Sequence, residues 1–171
     1  KIGNDEEFSK KVVLMDENEM TAVMMGFPTL KGLSRETPAV YVSVLLNQYA
    51  ACHYIDVAQE FGLPGDVCPM PEAEAGVSID DDFPVLGACA IQCNTTCDGS
   101  LMGNGVISKR LELEDKVPCF QLAAPLRHRQ EDVQEYAAQE IRNAIRFIEE
   151  HTGEKWDWDY YFECAKRVNE S

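Results

Sequence analysis

Three cysteines recur four residues apart in the stretch CAIQCNTTCDGS, at Cys89, Cys93 and Cys97, and a fourth, Cys68, stands in GLPGDVCPMPEAEAG. The thiolate is a soft ligand suited to iron–sulfur clusters and zinc. On a strand, Cys89, Ile91 and Cys93 share one face, because side chains alternate. Cys97 falls past that strand, beside Asp98-Gly99, in a loop whose free backbone N–H groups can hydrogen-bond the sulfurs of a cluster. Burial as a small hydrophobe accounts for Cys89 and Cys93 well and for Cys97 poorly. The Cys-x3-Cys-x3-Cys spacing is not the paired Cys-x2-Cys of a zinc framework.

Cys68 follows a helix and a Pro-Gly turn, in a segment read as irregular. Two cysteines in separate loops can converge at one end of a sheet. Two ligands do not complete a cubane, which takes four protein sulfurs or three and another donor. The remainder must come from elsewhere in the chain, another domain or another subunit. Cys52 on a helix core face, Cys119 at the start of a strand and Cys164 beside an amphipathic face read as structural.

Several elements have to position these thiols. KVVLM (11–15) reads as a short strand, GFPTLKGLS (26–34) as loop, and little else in residues 1–36 is assigned. A helix is expected over 37–61, with Thr37 as N-cap, Pro38 in the first turn, and Gly62 and Pro64 as its stop. Its core-facing positions are Tyr41, Val44, Leu45, Cys52 and Ile55. Residues 63–84 carry four prolines and three successive aspartates, too irregular for one element. VLGACAIQC (85–93) and CFQLAAP (119–125) read as buried strands, with a short helix between. In the last third, Val133, Ala137, Ile141, Ala144, Ile145 and Ile148 mark one helix face. After Gly153, Asp157 caps a final helix whose Trp158, Tyr161, Phe162, Ala165 and Val168 are expected to face inward. Alternating strands and helices imply an α/β fold: a Rossmann-like parallel sheet flanked by helices, with a helical C-terminal third. Functional loops of such sheets lie at the carboxyl ends of the strands.

Composition narrows the function classes. The chain has 171 residues, 45% of them hydrophobic and 26% charged, which suits a folded domain rather than disorder. A net charge of -15 argues against a nucleic-acid binder, because phosphate contact needs a concentrated basic surface. No apolar run reaches membrane-spanning length. The opening segment has charge where a secretory signal needs an apolar core, so a cytoplasmic location is expected. Seven cysteines, an odd number, do not suggest a disulfide framework there. There is no G-x4-G-K-[ST] phosphate loop. His53, His128 and His151 read as structural or surface groups, Asp80, Asp81 and Asp82 as a solvated loop. Glu72 and Glu74 can move protons if their segment folds over a substrate.

The order of these pieces, FGLPGDVCPMPEAEAG, then NTTCDGS, then VPCFQLAAP, then a long helix and IEEHTGEKWD, resembles the 2-hydroxyacyl-CoA dehydratase family, which includes benzoyl-CoA reductase subunits. The likeness runs from Pro38 to the C-terminus. It implies that the chain is a single α/β domain, one of the two domains of a longer subunit. It implies that Cys68 and Cys97 ligate an iron–sulfur cluster, a [4Fe–4S] cluster first, with Cys93 or Cys89 as lesser candidates and a double-cubane cluster as the alternative. A further ligand comes from a second domain. The implied partners are a second subunit or second copy and an ATP-dependent iron–sulfur activator that delivers one electron at low potential; the implied substrate is an acyl-CoA. The implied function is radical dehydration of a 2-hydroxyacyl-CoA, a lyase reaction of anaerobic metabolism. A low-potential reductase of the same family, and a scaffold domain without a cluster, are the rivals.

Overall fold

The apolar run VVLM forms β1 (Val12–Met15), buried along its whole length. A strand covered on both faces shows no polar alternation, which is why a plain apolar run marks it. The computed structural model describes residues 6–16, 20–47, 49–80, 82, 87–93, 97–125, 127 and 129–171; Asp81, His128 and residues 83–86 and 94–96 lie outside these. In chain order the elements are α1 (Glu6–Ser9), β1, α2 (Thr21–Met24), β2 (Lys31–Ser34), a π-helical turn (Thr37–Val42) running into α3 (Ser43–Leu46), α4 (Ala50–Phe61) and α5 (Pro69–Ile79). Then come β3 (Cys89–Cys93), α6 (Asp98–Arg110) with a π-helical extension (Leu111–Asp115), β4 (Cys119–Leu122), α7 (Glu131–Thr152) and α8 (Trp158–Glu170).

The strands form one sheet in the order β2-β1-β3-β4, every neighbouring pair parallel. Helices cover both faces. Val13, Met15, Cys89, Ile91 and Leu122 pack against Val23 and Met24 of α2 and Ala144, Ile145 and Ile148 of α7. Val12, Leu14 and Ala90 pack on the other face against Ala58, Ala75, Ile107 and Leu111, from α4, α5, α6 and its extension. The fold is the expected Rossmann-like α/β sheet with a helical C-terminal region.

Five local readings are corrected. The 26–34 segment is not all loop: β2 occupies its end, a four-residue edge strand too short and too exposed at Lys31 and Gly32 to leave a periodic signature. The 37–61 helix is interrupted after Leu46, where Asn47 accepts the Tyr49 N–H on its side chain (3.2 Å) and the Ala50 N–H on its carbonyl (2.9 Å). A side-chain acceptor of this kind competes with the helical ladder. Leu45, 84% exposed, and Tyr41 and Cys52, also exposed, therefore do not reach the core. The 63–84 segment contains a regular helix, α5, because Pro69 and Pro71 fall in its first turn, where the backbone N–H groups have no helical partner to lose.

The fourth correction concerns Asp80 and Asp82, which are not merely solvated: Asp80 pairs with His53 at 2.8 Å and Asp82 accepts the Tyr54 hydroxyl at 2.9 Å, tying the end of α5 to α4. His53 itself is exposed, off any core stripe, and the hydrogen bond to the Asp80 carboxylate raises its pKa. Lastly, α8 buries none of its residues, Phe162 being 62% exposed, and the amino-terminal half of α7 leaves Ile141 exposed. Both helices are amphipathic, but only the carboxyl half of α7 finds the sheet.

Three of the caps behave as read, but Thr37 does not: it lies within the π-helical turn, and its N–H donates to the Ser34 hydroxyl at 3.4 Å. Gly62 and Gly153 end α4 and α7 in the left-handed region, at φ 117° and 76°. The Asp157 side chain accepts the Tyr160 N–H at 2.9 Å. Helices α4 and α5 touch backbone to backbone, since a Cβ on Gly76 would fall 1.8 Å from the Tyr54 carbonyl oxygen. Gly76→Ala should accordingly destabilise the fold by about 1–3 kcal/mol or more. Gly105→Ala, where an added Cβ meets nothing within 4 Å, should be neutral or stabilise by about 0.5–1 kcal/mol. Urea unfolding of the two variants checks the contrast.

Candidate functional site

The chain runs from β1 to β2 on one side and from β3 to β4 on the other. The β1/β3 boundary is thus a topological switch point, the place where doubly wound sheets leave a crevice at their carboxyl ends. Asp16 follows β1 there, and Cys97 comes four residues after the end of β3.

Cys68 and Cys97 occupy the same structural position twice. Each is the N-cap residue, in extended backbone conformation, of a helix that begins at once: α5 after Cys68, α6 after Cys97. Cys97 is therefore not part of a polar loop that continues past Gly99, as the Asp-Gly pair suggested. A helix start leaves unpaired N–H groups, and the Cys97 sulfur accepts one of them from Ser100 at 3.4 Å. Small residues hold the two helices together. A Cβ on Gly103 would lie 3.1 Å from the Pro71 carbonyl oxygen, and one on Gly99 would lie 3.4 Å from the Cβ of Cys68. As a result Cys68 and Cys97 line one pocket of about 210 Å³, together with Asp16, Glu74, Ser100 and Asn104. The positive ends of two helix dipoles meet at this pocket and favour negative charge on its sulfurs.

Beneath the pocket is a buried polar network. Asp16 accepts the Cys93 N–H at 2.7 Å and the Asn104 side-chain amide at 2.9 Å. Asn104 also donates to the Cys93 carbonyl at 3.2 Å, which fixes the end of β3. Arg35, 3% exposed, pairs with Glu74 at 3.2 Å and donates to the Asn104 side-chain Oδ1 at 3.5 Å. The Gln92 amide turns its oxygen to Arg35, accepting at 2.9 and 3.3 Å, and its nitrogen to Ser108. Arg35 and Glu74 offset each other's charge, as burial requires, although the Arg35 Nε and Glu74 Oε1 make no hydrogen bond. Sequence reading missed Asp16, Arg35 and Asn104. The one signal was a carboxylate directly after a buried strand; Arg35 follows a strand that had no periodic trace, and Asn104 lies inside a helix.

The other thiols go elsewhere. Cys89 is fully buried between the sheet and α7, and burial pushes its thiol up to about 12. Cys93 packs against that same cluster, on the face of β3 opposite α6. Cys119 begins β4, and burial pushes it up to about 11. Cys52 is exposed on α4 and Cys164 half-buried on α8. Glu72 is buried and faces Gln59 at 3.4 Å rather than the pocket, whereas Glu74 lines it. His53 and His151 are exposed on α4 and α7. Among the described residues, no group of three or more His, Cys, Asp or Glu side chains is gathered closely enough to hold a metal ion. Two soft donors face the pocket, and any further donor has to come from outside this set.

The chain matches, over residues 23–171, the family model described as 2-hydroxyglutaryl-CoA dehydratase, D-component. It belongs to this family. The match begins in α2 and covers β2 through α8, so β3, α6 and both capping cysteines lie inside the matched span, while β1 and Asp16 on the other side of the crevice precede it. No individually curated protein matches the chain. No helix among the described residues is long and apolar enough to cross a membrane.

In the metal-free protein, iodoacetamide should modify the exposed Cys52 and Cys68 and leave Cys89 untouched until unfolding; peptide mass spectrometry reads this directly. Arg35→Ala removes the guanidinium that faces Glu74, Asn104 and Gln92. It should lower unfolding stability by about 3–5 kcal/mol, measured with urea.

Proposed function

We propose that this chain is the cluster-binding domain of a 2-hydroxyacyl-CoA dehydratase-like enzyme, with Cys68 and Cys97 as two of the ligands of a [4Fe–4S] cluster. The observation that carries the reading is the pairing of these two cysteines as N-caps of adjacent helices on one pocket at the switch point. The donor set fits: two soft thiolates, unpaired N–H groups of two helix starts to hydrogen-bond sulfide, and room between them. When bound, the cluster supplies one-electron transfer at low potential. The electron would be lent and returned: it lets the 2-hydroxyl leave as hydroxide, after which the β-hydrogen is acidic enough to leave as the proton that completes water, with no strong protein base.

The chain's own residues do the rest. Cys68 and Cys97 bind, and the α5 and α6 N-termini offset negative charge. Asp16 and Asn104 hold the outgoing end of β3 so that the loop to Cys97 starts from a fixed point. Ile107, at the back of the pocket, limits water. Asp16 already accepts from N–H donors and Glu74 is paired with the Arg35 guanidinium, which suits both to structural roles rather than proton transfer. The domain acts in the cytoplasm as one of two in its subunit. The second domain completes the ligand set, and a second subunit or copy and an ATP-dependent iron–sulfur activator are its partners.

The full-length subunit, second domain included, reconstituted anaerobically with iron and sulfide, should turn brown and contain both elements. Cys97→Ala should lose most of the iron, and Cys52→Ala should retain it. Equal iron in the two variants, or a colourless wild type alongside full thiol content, overturns the assignment.

A further inference from the structure

Helix α6 presents a second, separate cavity on the side away from the cysteine pocket. Its volume is about 600 Å³, within the range of small-molecule sites. Phe61 and Leu63 from the end of α4, Met102 and Val106 from α6, and Leu113 from its extension supply an apolar lining. Phe61 and Leu113 stay largely exposed, 59% and 60%, so the fold itself does not fill the space.

Gly105 is the telling residue. The other two glycines of α6 have structural reasons, since a Cβ on Gly99 or Gly103 would press on Pro71. At Gly105 an added Cβ would meet nothing within 4 Å. A glycine in a helix interior destabilises relative to alanine, and here no protein neighbour requires it. What it does is leave bare helix backbone on the wall of the cavity, so that a ligand can approach closely.

Charge selects the ligand. Arg110 is engaged by Glu114 at 2.8 Å, whereas Lys109, at the same rim, is exposed and has no ion pair among the described residues. In a chain of net charge -15 this is a local exception. We propose that the cavity between α4 and α6 binds a small molecule with an elongated apolar body and one anionic end, its body over Gly105 and its anion at Lys109.

The probes are decanoate and its neutral counterpart decanol, titrated into the full chain carrying ¹³C-methyl methionine. Decanoate should bind saturably and shift the Met102 methyl signal while leaving that of core Met15 in place. Gly105→Met, which fills the space, should weaken both probes roughly tenfold or more without lowering the melting temperature. Lys109→Gln should weaken decanoate roughly five- to tenfold and leave decanol unchanged, the loss of one charge contact. Three results overturn the proposal: no Met102 shift at millimolar probe, Gly105→Met binding like wild type, or a Met102 shift that follows protein concentration instead of probe. The last would mean that a second copy covers the groove.

Discussion

The close approach of α5 and α6 is the contact on which the site depends. Pro71 lies against Gly99 and Gly103 so tightly that neither position has slack for a side chain. Helices usually pack with their axes 8–10 Å apart because side chains intervene; glycine removes that spacer. The gain is positional. Both helices begin with cysteine, so bringing their first turns together brings two sulfurs, two dipole ends and several free N–H groups to one place.

The buried network under the pocket complements that contact. Strands β1, β2 and β3 each end at this edge, and each contributes a polar group: Asp16, Arg35 and, within β3, Gln92. Asn104 of α6 joins them by donating to Asp16 and to the Cys93 carbonyl while accepting from Arg35. A carboxylate, a guanidinium and two amides, bonded to one another with only the Arg35 Nε left over, lock the sheet edge to the helix that carries Cys97. Such networks bring little net stability over an apolar core, but they allow few alternative arrangements. A site that must hold two distant residues in register is served by that restriction.

Large apolar side chains remain uncovered on α3, α4 and α8, among them Leu45, Leu46, Tyr49, Trp158 and Phe162. Around Trp156 the turn between α7 and α8 is nonetheless well fastened. The indole stacks edge-on against Phe27 at 5.4 Å, lies over Gly26, and the Asp157 N–H donates to the Gly26 carbonyl at 2.8 Å. The start of α8 is thus fixed by its base while its aromatic face is left open.

Much of this was legible in the residues. Apolar runs named β1 and β3; Gly62, Gly153 and Asp157 set helix ends through backbone preferences that act within a few residues. Pro69 and Pro71 carried the opposite of their usual meaning, since a proline breaks a helix only after its first turn. Which amphipathic faces are covered was not legible, because Ile145 and Phe162 are equally apolar and only one meets the sheet. Nor was the meeting of Cys68 with Cys97, or of Arg35 with Glu74. Each pair is distant along the chain, and its distance is set by how helices and strands stack, not by anything either residue does to its neighbours. The sequence by itself determined β1, β3 and the helix ends at Gly62, Gly153 and Asp157, through preferences local to each; tertiary packing alone decided that the helix starts at Cys68 and Cys97 face one another.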